Sequence, residues 1–193
     1  MLGIVSVNNE EQLPRLVPGY SFPPYAYTPG LSPHPTRDSE GHNLKIAIES
    51  NDTFTPMQWK ACESYLLGFD MFNHGFYWEA HEAWEALWQA IERKGRRAKL
   101  LKGLIKLAAC GVKARQVSNS GVIHLADGAL KEFKEVYSEN DNRDDYMGLD
   151  LKALIAITEK VKALDIKKDV VSGEHSPRVF KFILMPNLKK SLE

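Results

Sequence analysis

An all-α fold is predicted for this chain of 193 residues: an antiparallel helical bundle of about five helices with an extended proline-rich N-terminal arm. Three observations lead there. From Thr55 onward, apolar residues recur at steps of three and four, the period of a helix with one buried face. Short polar or glycine-containing breaks separate these stretches, and short connections favour antiparallel neighbours. Before residue 54 that period is absent.

The arm comes first. Pro14, Pro18, Pro23, Pro24, Pro29, Pro33 and Pro35 stand among Tyr20, Phe22, Tyr25 and Tyr27. Proline removes backbone donors and drives its neighbour toward extended geometry, so no helix forms here. Turns are expected at Pro18-Gly19 and Pro29-Gly30. A plain linker would carry fewer aromatics, so residues 1–54 read as an arm, with 18–48 lying on a helical domain at 55–193.

The helices follow in order. Thr55 as cap, Pro56 at the first helical position and Gln58 at capping-box spacing start the first, and Asn73-His74-Gly75 ends it. The second runs from about Tyr77 to Arg93 and stops at Gly95; the third covers Arg97 to Val117. After the break Ser118-Asn119-Ser120-Gly121, a fourth spans Val122 to Tyr137, and a fifth spans Leu151 to Leu164. Val179, Phe180, Phe182 and Leu184 suggest a short extended segment docking on the body.

Composition narrows the function. Lys plus Arg equals Asp plus Glu at 25 each, which gives no electrostatic case for nucleic acid or membrane. No apolar run approaches the length of a membrane span, and the first residues lack a signal-peptide pattern. Cys62 and Cys110 fall in helical apolar patterns and read as buried thiols of a cytoplasmic protein. Partners stay unspecified, and a homo-oligomer remains open.

Residues 72–88, FNHGFYWEAHEAWEALW, carry the chemistry. His81 and Glu85 stand four apart, so a helix stacks them about 5–6 Å apart at Cβ. On the helical wheel Leu87, Ala80, Ile91, Trp84, Tyr77 and Trp88 form the core-facing arc, and Glu79 falls among Ala83, Ala86 and Ala90 on a small-residue side. His81 lies at the rim of the apolar arc beside Trp88, with Glu85 just beyond. Partial burial there demands a partner for each charge. A shared proton, a divalent metal ion of unspecified identity, and a satisfied structural polar cluster all meet that demand; on the last reading the protein is a helical protein-interaction module. On the metal reading His81 and Glu85 are ligands, Glu82 is a third ligand or the catalytic base for a hydrolytic reaction, and Trp78 and Trp88 shape the pocket. Glu85 stands where a zinc-protease HExxH motif needs its second histidine, which argues against peptidase chemistry. No Glu-x-x-His pair of the di-iron type is present.

FNHGFYWEAHEAWEALW, followed by LKGLIKLAACGVKARQ, resembles the bacterial and archaeal family known as domain of unknown function 309, over about residues 60–137. The family pattern His-x-x-x-Glu-x-x-Trp or Tyr is matched by His81, Glu85 and Trp88. The resemblance implies an all-helical fold and a suggested metal-binding role for that pattern, without an enzymatic activity. YAYTPGLSPHPTRDSEGH is similar to an extension of longer members.

Two further features bear on function. Residues 93–115 carry nine basic residues and no acidic one, with Lys99, Lys102, Lys106 and Lys113 on one side. This stripe reads either as an anion or nucleic-acid contact or, preferably, as a solvated face that neutralises carboxylates of the second helix. Gly103, Ala108, Cys110, Gly111 and Ala114 predict close helix–helix contact. The arm offers His34 and His42 as metal ligands should it fold over His81 and Glu85. His124 is a minor alternative that could face the bundle interior; His74 belongs to the helix-ending turn and His175 to a surface loop.

Overall fold

A computed structural model describes residues 4–6, 13–42, 54–166 and 178–189, the side chains of 4–6 excepted. His175 lies outside the described residues. Five helices form the body: α1 (Glu63–Asn73), α2 (Tyr77–Ala90), α3 (Gly95–Arg115), α4 (Asn119–Glu139) and α5 (Leu151–Lys162). Each packs on the one before it, α3 on α4 most extensively. The contacts run in opposite sequence directions across each pair, so neighbours are antiparallel. Tyr65 takes the Trp84 indole N–H while Phe72 meets Tyr77; Tyr77 faces Gly111 while His81 faces Ile105. Lys99 pairs with Glu139 and Lys106 with Glu132; Lys134 pairs with Glu159 and Asp127 with Lys162. Among the described residues no helix is long and apolar enough to cross a membrane.

The first helix begins later than its sequence signals suggested. Thr55 and Gln58 bond to each other, but within a turn, and a 3-10 turn at Trp59–Ala61 follows. Cys62, at ψ 96, then interrupts the chain before α1 starts at Glu63. The fully buried Trp59 explains the detour: the segment is shaped to seat the indole over Gly148, not to continue a helix. At the other boundaries α2 stops at Ala90, α3 starts at Gly95, and α4 starts at Asn119, so Gly121 lies inside α4.

Of four short strands among the described residues, Phe182–Leu184 falls in the extended segment expected there, and the other three were not anticipated. Asp145–Tyr146 (β2) pairs with Leu149–Asp150 (β3) around Met147 and Gly148, whose φ values of 49 and 80 belong to a tight hairpin turn. Asp150 then caps α5 by accepting the Ala153 N–H at 2.8 Å. Ile4–Ser6 (β1) pairs antiparallel with Phe182–Leu184 (β4). The extended segment of Val179 to Leu184 docks through the Tyr77 hydroxyl, which accepts from Val179 N at 3.0 Å, and through Phe180 stacked on Phe72.

Small residues let the helices close on each other. A Cβ on Gly103 would lie 2.3 Å from the Phe133 ring, and one on Gly111 would lie 2.4 Å from Tyr77. At Gly68 the added carbon would sit 2.1 Å from Trp84 Nε1, whose indole N–H is committed to the Tyr65 carbonyl at 3.1 Å. Trp84 is fully buried and has nowhere to move. Gly68→Ala is therefore expected to destabilise the fold by about 2 kcal/mol despite its better helix propensity, because overpacking outweighs the roughly 1 kcal/mol propensity gain. Urea unfolding of the variant checks this.

The arm lies on α1 and α2. Val17 and Tyr27 are buried, Phe22 stacks on Phe76 at 4.9 Å, and Tyr27 meets the Trp78 edge at 5.1 Å. Phe54, the last residue read into the arm, is fully buried against Tyr65, and its carbonyl accepts from Arg97. Two buried carboxylates fasten the arm. Asp70 of α1 accepts from Arg15 Nε at 3.1 Å and from the Leu16 and Val17 backbone at 2.8 Å each. Glu79 of α2 accepts the Tyr27 N–H at 2.8 Å and faces His42 Nε2 at 3.1 Å.

Candidate metal site

The α2 helix presents the site because its opposite face is fixed. Tyr77, Ala80, Trp84 and Leu87 are buried, which turns His81, Glu82 and Glu85 to a half-buried flank. Ligand atoms of these three residues lie within 4.8 Å of one another. His81 Nε2 is 3.1 Å from Glu85 Oε2, with about a quarter of the His81 side chain and over a third of Glu85 exposed.

Ring geometry sets the electrostatic demand. His81 Nδ1 points at the Ile105 carbonyl of α3, 3.4 Å away, an acceptor that only an N–H can satisfy. In a neutral ring the proton then sits on Nδ1, and Nε2 offers its lone pair toward a carboxylate oxygen. Two lone pairs at that distance call for a positive charge between them, either a second ring proton or a cation. An orienting carbonyl on the far nitrogen is also the usual companion of a metal-bound histidine. The separation is close to the ~3.3 Å edge of a tetrahedron with bonds of ~2.0–2.1 Å.

Burial pushes the Glu82 carboxyl above its ordinary range; nearby Glu85 and Glu79 add to this, while His81 and His34 oppose it. Among the described residues no lysine or arginine forms an ion pair with Glu82 or Glu85. The basic stripe of α3 is directed elsewhere, which corrects the expected pairing with α2. Lys99 pairs with Glu135 and Glu139, and Lys102 and Lys106 share Glu132, all on α4. Those lysines are consumed locally and leave the α2 cluster with its negative character.

The other sequence-designated residues are spread around this flank. Trp78 is half-buried under Tyr27 and His34, with the His34 ring 6.0 Å away. Trp88 packs on the core edge and is covered by the Arg93 guanidinium at 4.7 Å. His42 does not join His81 and Glu85; it is drawn to Glu79, two residues before His81 and on another face of α2. His34 stays near Glu82 but outside the group of three. His124 is exposed on α4 and does not face the interior. His74 caps α1, its backbone N–H bonded to the Asp70 carbonyl. Cys62 and Cys110 are buried, and burial pushes the Cys110 thiol up to about 12.

Glu79 is the residue whose importance the sequence understated. It is fully buried, Oε1 receives both arm contacts, and Oε2 has no hydrogen-bond partner among the described residues. Burial raises its carboxyl to about 7, against the opposing pull of the Tyr27 N–H and the Arg115 charge. Burial likewise lowers His42. Both directions fit a neutral pair, with His42 donating to Oε1 and the acid proton on Oε2.

No curated protein and no solved structure matches the chain. Residues 65–125 match the family described as domain of unknown function (DUF309), a span from α1 into α4 that contains His81, Glu82, Glu85 and Trp88. The match covers 61 of the 193 residues, and over that span the chain is similar to the family.

Proposed function

We propose that this is a metal-binding helical protein in which His81 and Glu85 hold a divalent cation and Glu82 completes or serves the site. The observation that carries the reading is the facing pair, His81 Nε2 and Glu85 Oε2 at 3.1 Å, with the far ring nitrogen turned to a carbonyl. The donor set fits: one imidazole and two carboxylates suit zinc, iron, manganese or nickel. A bound ion supplies Lewis acidity toward an oxygen ligand, the basis of metal-assisted hydrolysis. Glu82, biased toward its protonated form by burial, is placed to accept or return a proton there. Trp78 flanks the cluster on the arm side and Trp88 on the side of the α2 C-terminus.

A second reading treats the cluster as structural, a polar tie between α2 and α3 through the His81–Ile105 contact. Elemental analysis of the reconstituted protein separates the two. About one equivalent of metal is expected in the wild type, with loss in both His81→Ala and Glu85→Ala. Their stability should fall by no more than about 1 kcal/mol, since the pair is partly exposed. Absence of metal together with marked destabilisation of both variants establishes the structural role instead.

A further inference from the structure

The segment from Tyr27 to His42 is a loop built to hold one imidazole in one orientation. Its two ends meet on a single carboxylate, Glu79, which takes the Tyr27 N–H and the His42 ring. Tyr25 ties the loop across its neck, donating to the Pro33 carbonyl at 2.9 Å and accepting the His42 N–H at 3.2 Å. Inside the loop Asp38 Oδ2 accepts the His34 N–H at 2.6 Å, and the Asp38 carbonyl accepts the Gly41 N–H at 3.0 Å. Gly41 passes so close that a Cβ there would lie 2.4 Å from the His34 and Pro35 carbonyl oxygens. At its far side the Pro29 carbonyl is held by Gln116 of α3 at 3.1 Å.

The result at His34 is chemically specific. Its Nδ1 lies 3.2 Å from the Thr36 N–H and 3.3 Å from the Arg37 N–H, and both of these donate to it. A nitrogen that accepts two N–H groups carries no proton, so the neutral ring is protonated on Nε2 and can only donate there. Nε2 has no hydrogen-bond partner among the described residues. The ring is half-buried and edge-on to Trp78, which stands four residues before Glu82 on α2.

We infer that His34 is the hydrogen-bond donor of the α2 site, its Nε2–H recognising an oxygen of an oxyanion, carboxylate or phosphate, held at His81, Glu82 and Glu85. This rests on the metal reading above. It assigns His34 to the ligand's outer oxygen instead of to the metal. It also gives the loop a purpose beyond covering α2, because a loop that merely covers the helix has no need to fix a tautomer.

The test has two parts. Ring 15N correlation spectra of the metal-free full-length protein should show the His34 proton on Nε2 with Nδ1 as acceptor; a proton on Nδ1 overturns the assignment. Zinc-loaded wild type, His34→Ala and His34→Gln are then titrated with inorganic phosphate and, separately, acetate, following amide shifts. Zinc content should be the same in all three. Anion affinity should fall roughly tenfold in His34→Ala and recover in part in His34→Gln, which keeps an N–H donor. The stronger of the two anions identifies the class. Loss of zinc from His34→Ala would make the residue a ligand, and equal anion affinities in the three proteins would remove its role; either overturns the inference. A wild type that takes up no zinc defeats the metal reading itself, and the inference with it, a result distinct from both.

Discussion

Asp70→Ala is expected to lower stability by about 3 kcal/mol, the range for removing one partner of a buried, charge-assisted cluster. The carboxylate is fully buried in α1 and serves three donors of the arm at once: Arg15 Nε and the backbone of Leu16 and Val17. Without it two amides lose their acceptor. The Arg15 guanidinium, which also spans the Val17 and Tyr20 carbonyls and lies 3.9 Å over the Phe22 ring, loses its counter-charge. Asp70→Asn keeps one oxygen and should cost less. Chemical denaturation gives the magnitude, and amide exchange at Leu16 and Val17 shows whether the arm lifts. A loss below about 1 kcal/mol would mean that the arm is held by its aromatics alone.

Glu79→Gln is expected to stabilise the protein at alkaline pH, by up to about 3 kcal/mol relative to the wild type. The sign follows from the direction of the shift. Burial lifts the folded-state carboxyl from 4.5 to about 7, so its stabilising contribution is complete below 4.5 and is lost as pH rises through about 7. His42 acts oppositely: its folded-state value lies below the ordinary 6.5, so its contribution is present above that value and is lost as pH falls. The Glu79 contribution thus falls away between about pH 4.5 and about 7 and is gone above that, while the His42 contribution is lost only below 6.5. Glutamine retains an oxygen for Tyr27 and His42 but cannot ionise, and should abolish the loss of stability between about pH 4.5 and about 7 while leaving the His42 limb. Thermal unfolding across pH decides it; parallel profiles for the two proteins would show that Glu79 is ionised throughout.

These two anchors also mark where the sequence could be read and where it could not. The helices were legible because burial imposes a period of three to four, and the α2 face carrying His81 and Glu85 follows from that period alone. Asp70, an acidic residue amid LLGFDMFN, was not singled out from the sequence, and nothing local names Arg15, 55 positions away. Glu79 fell among alanines, on the side where another helix or the arm could approach closely, and it is the arm that does so. His42 was grouped with His81 on residue type, whereas the loop closure at Glu79 sends it to another face of α2. The start of α1 was misplaced because capping chemistry at Thr55 is local, while the seat of Trp59 against Gly148 is set by a distant hairpin. Strand pairs of two or three residues carry too few positions for an alternating pattern to register.

The zipper of α3 lysines on α4 glutamates has a kinetic implication. With formal charge balanced over the whole chain and compensated pair by pair along that face, the molecule projects little far-reaching field. Attraction of a cation toward α2 fades beyond a Debye length, about 8 Å at physiological ionic strength. On the proposed metal reading, capture would begin with an unguided diffusive encounter, and selectivity would arise after arrival, in the grip of a few side chains and the loop beside them.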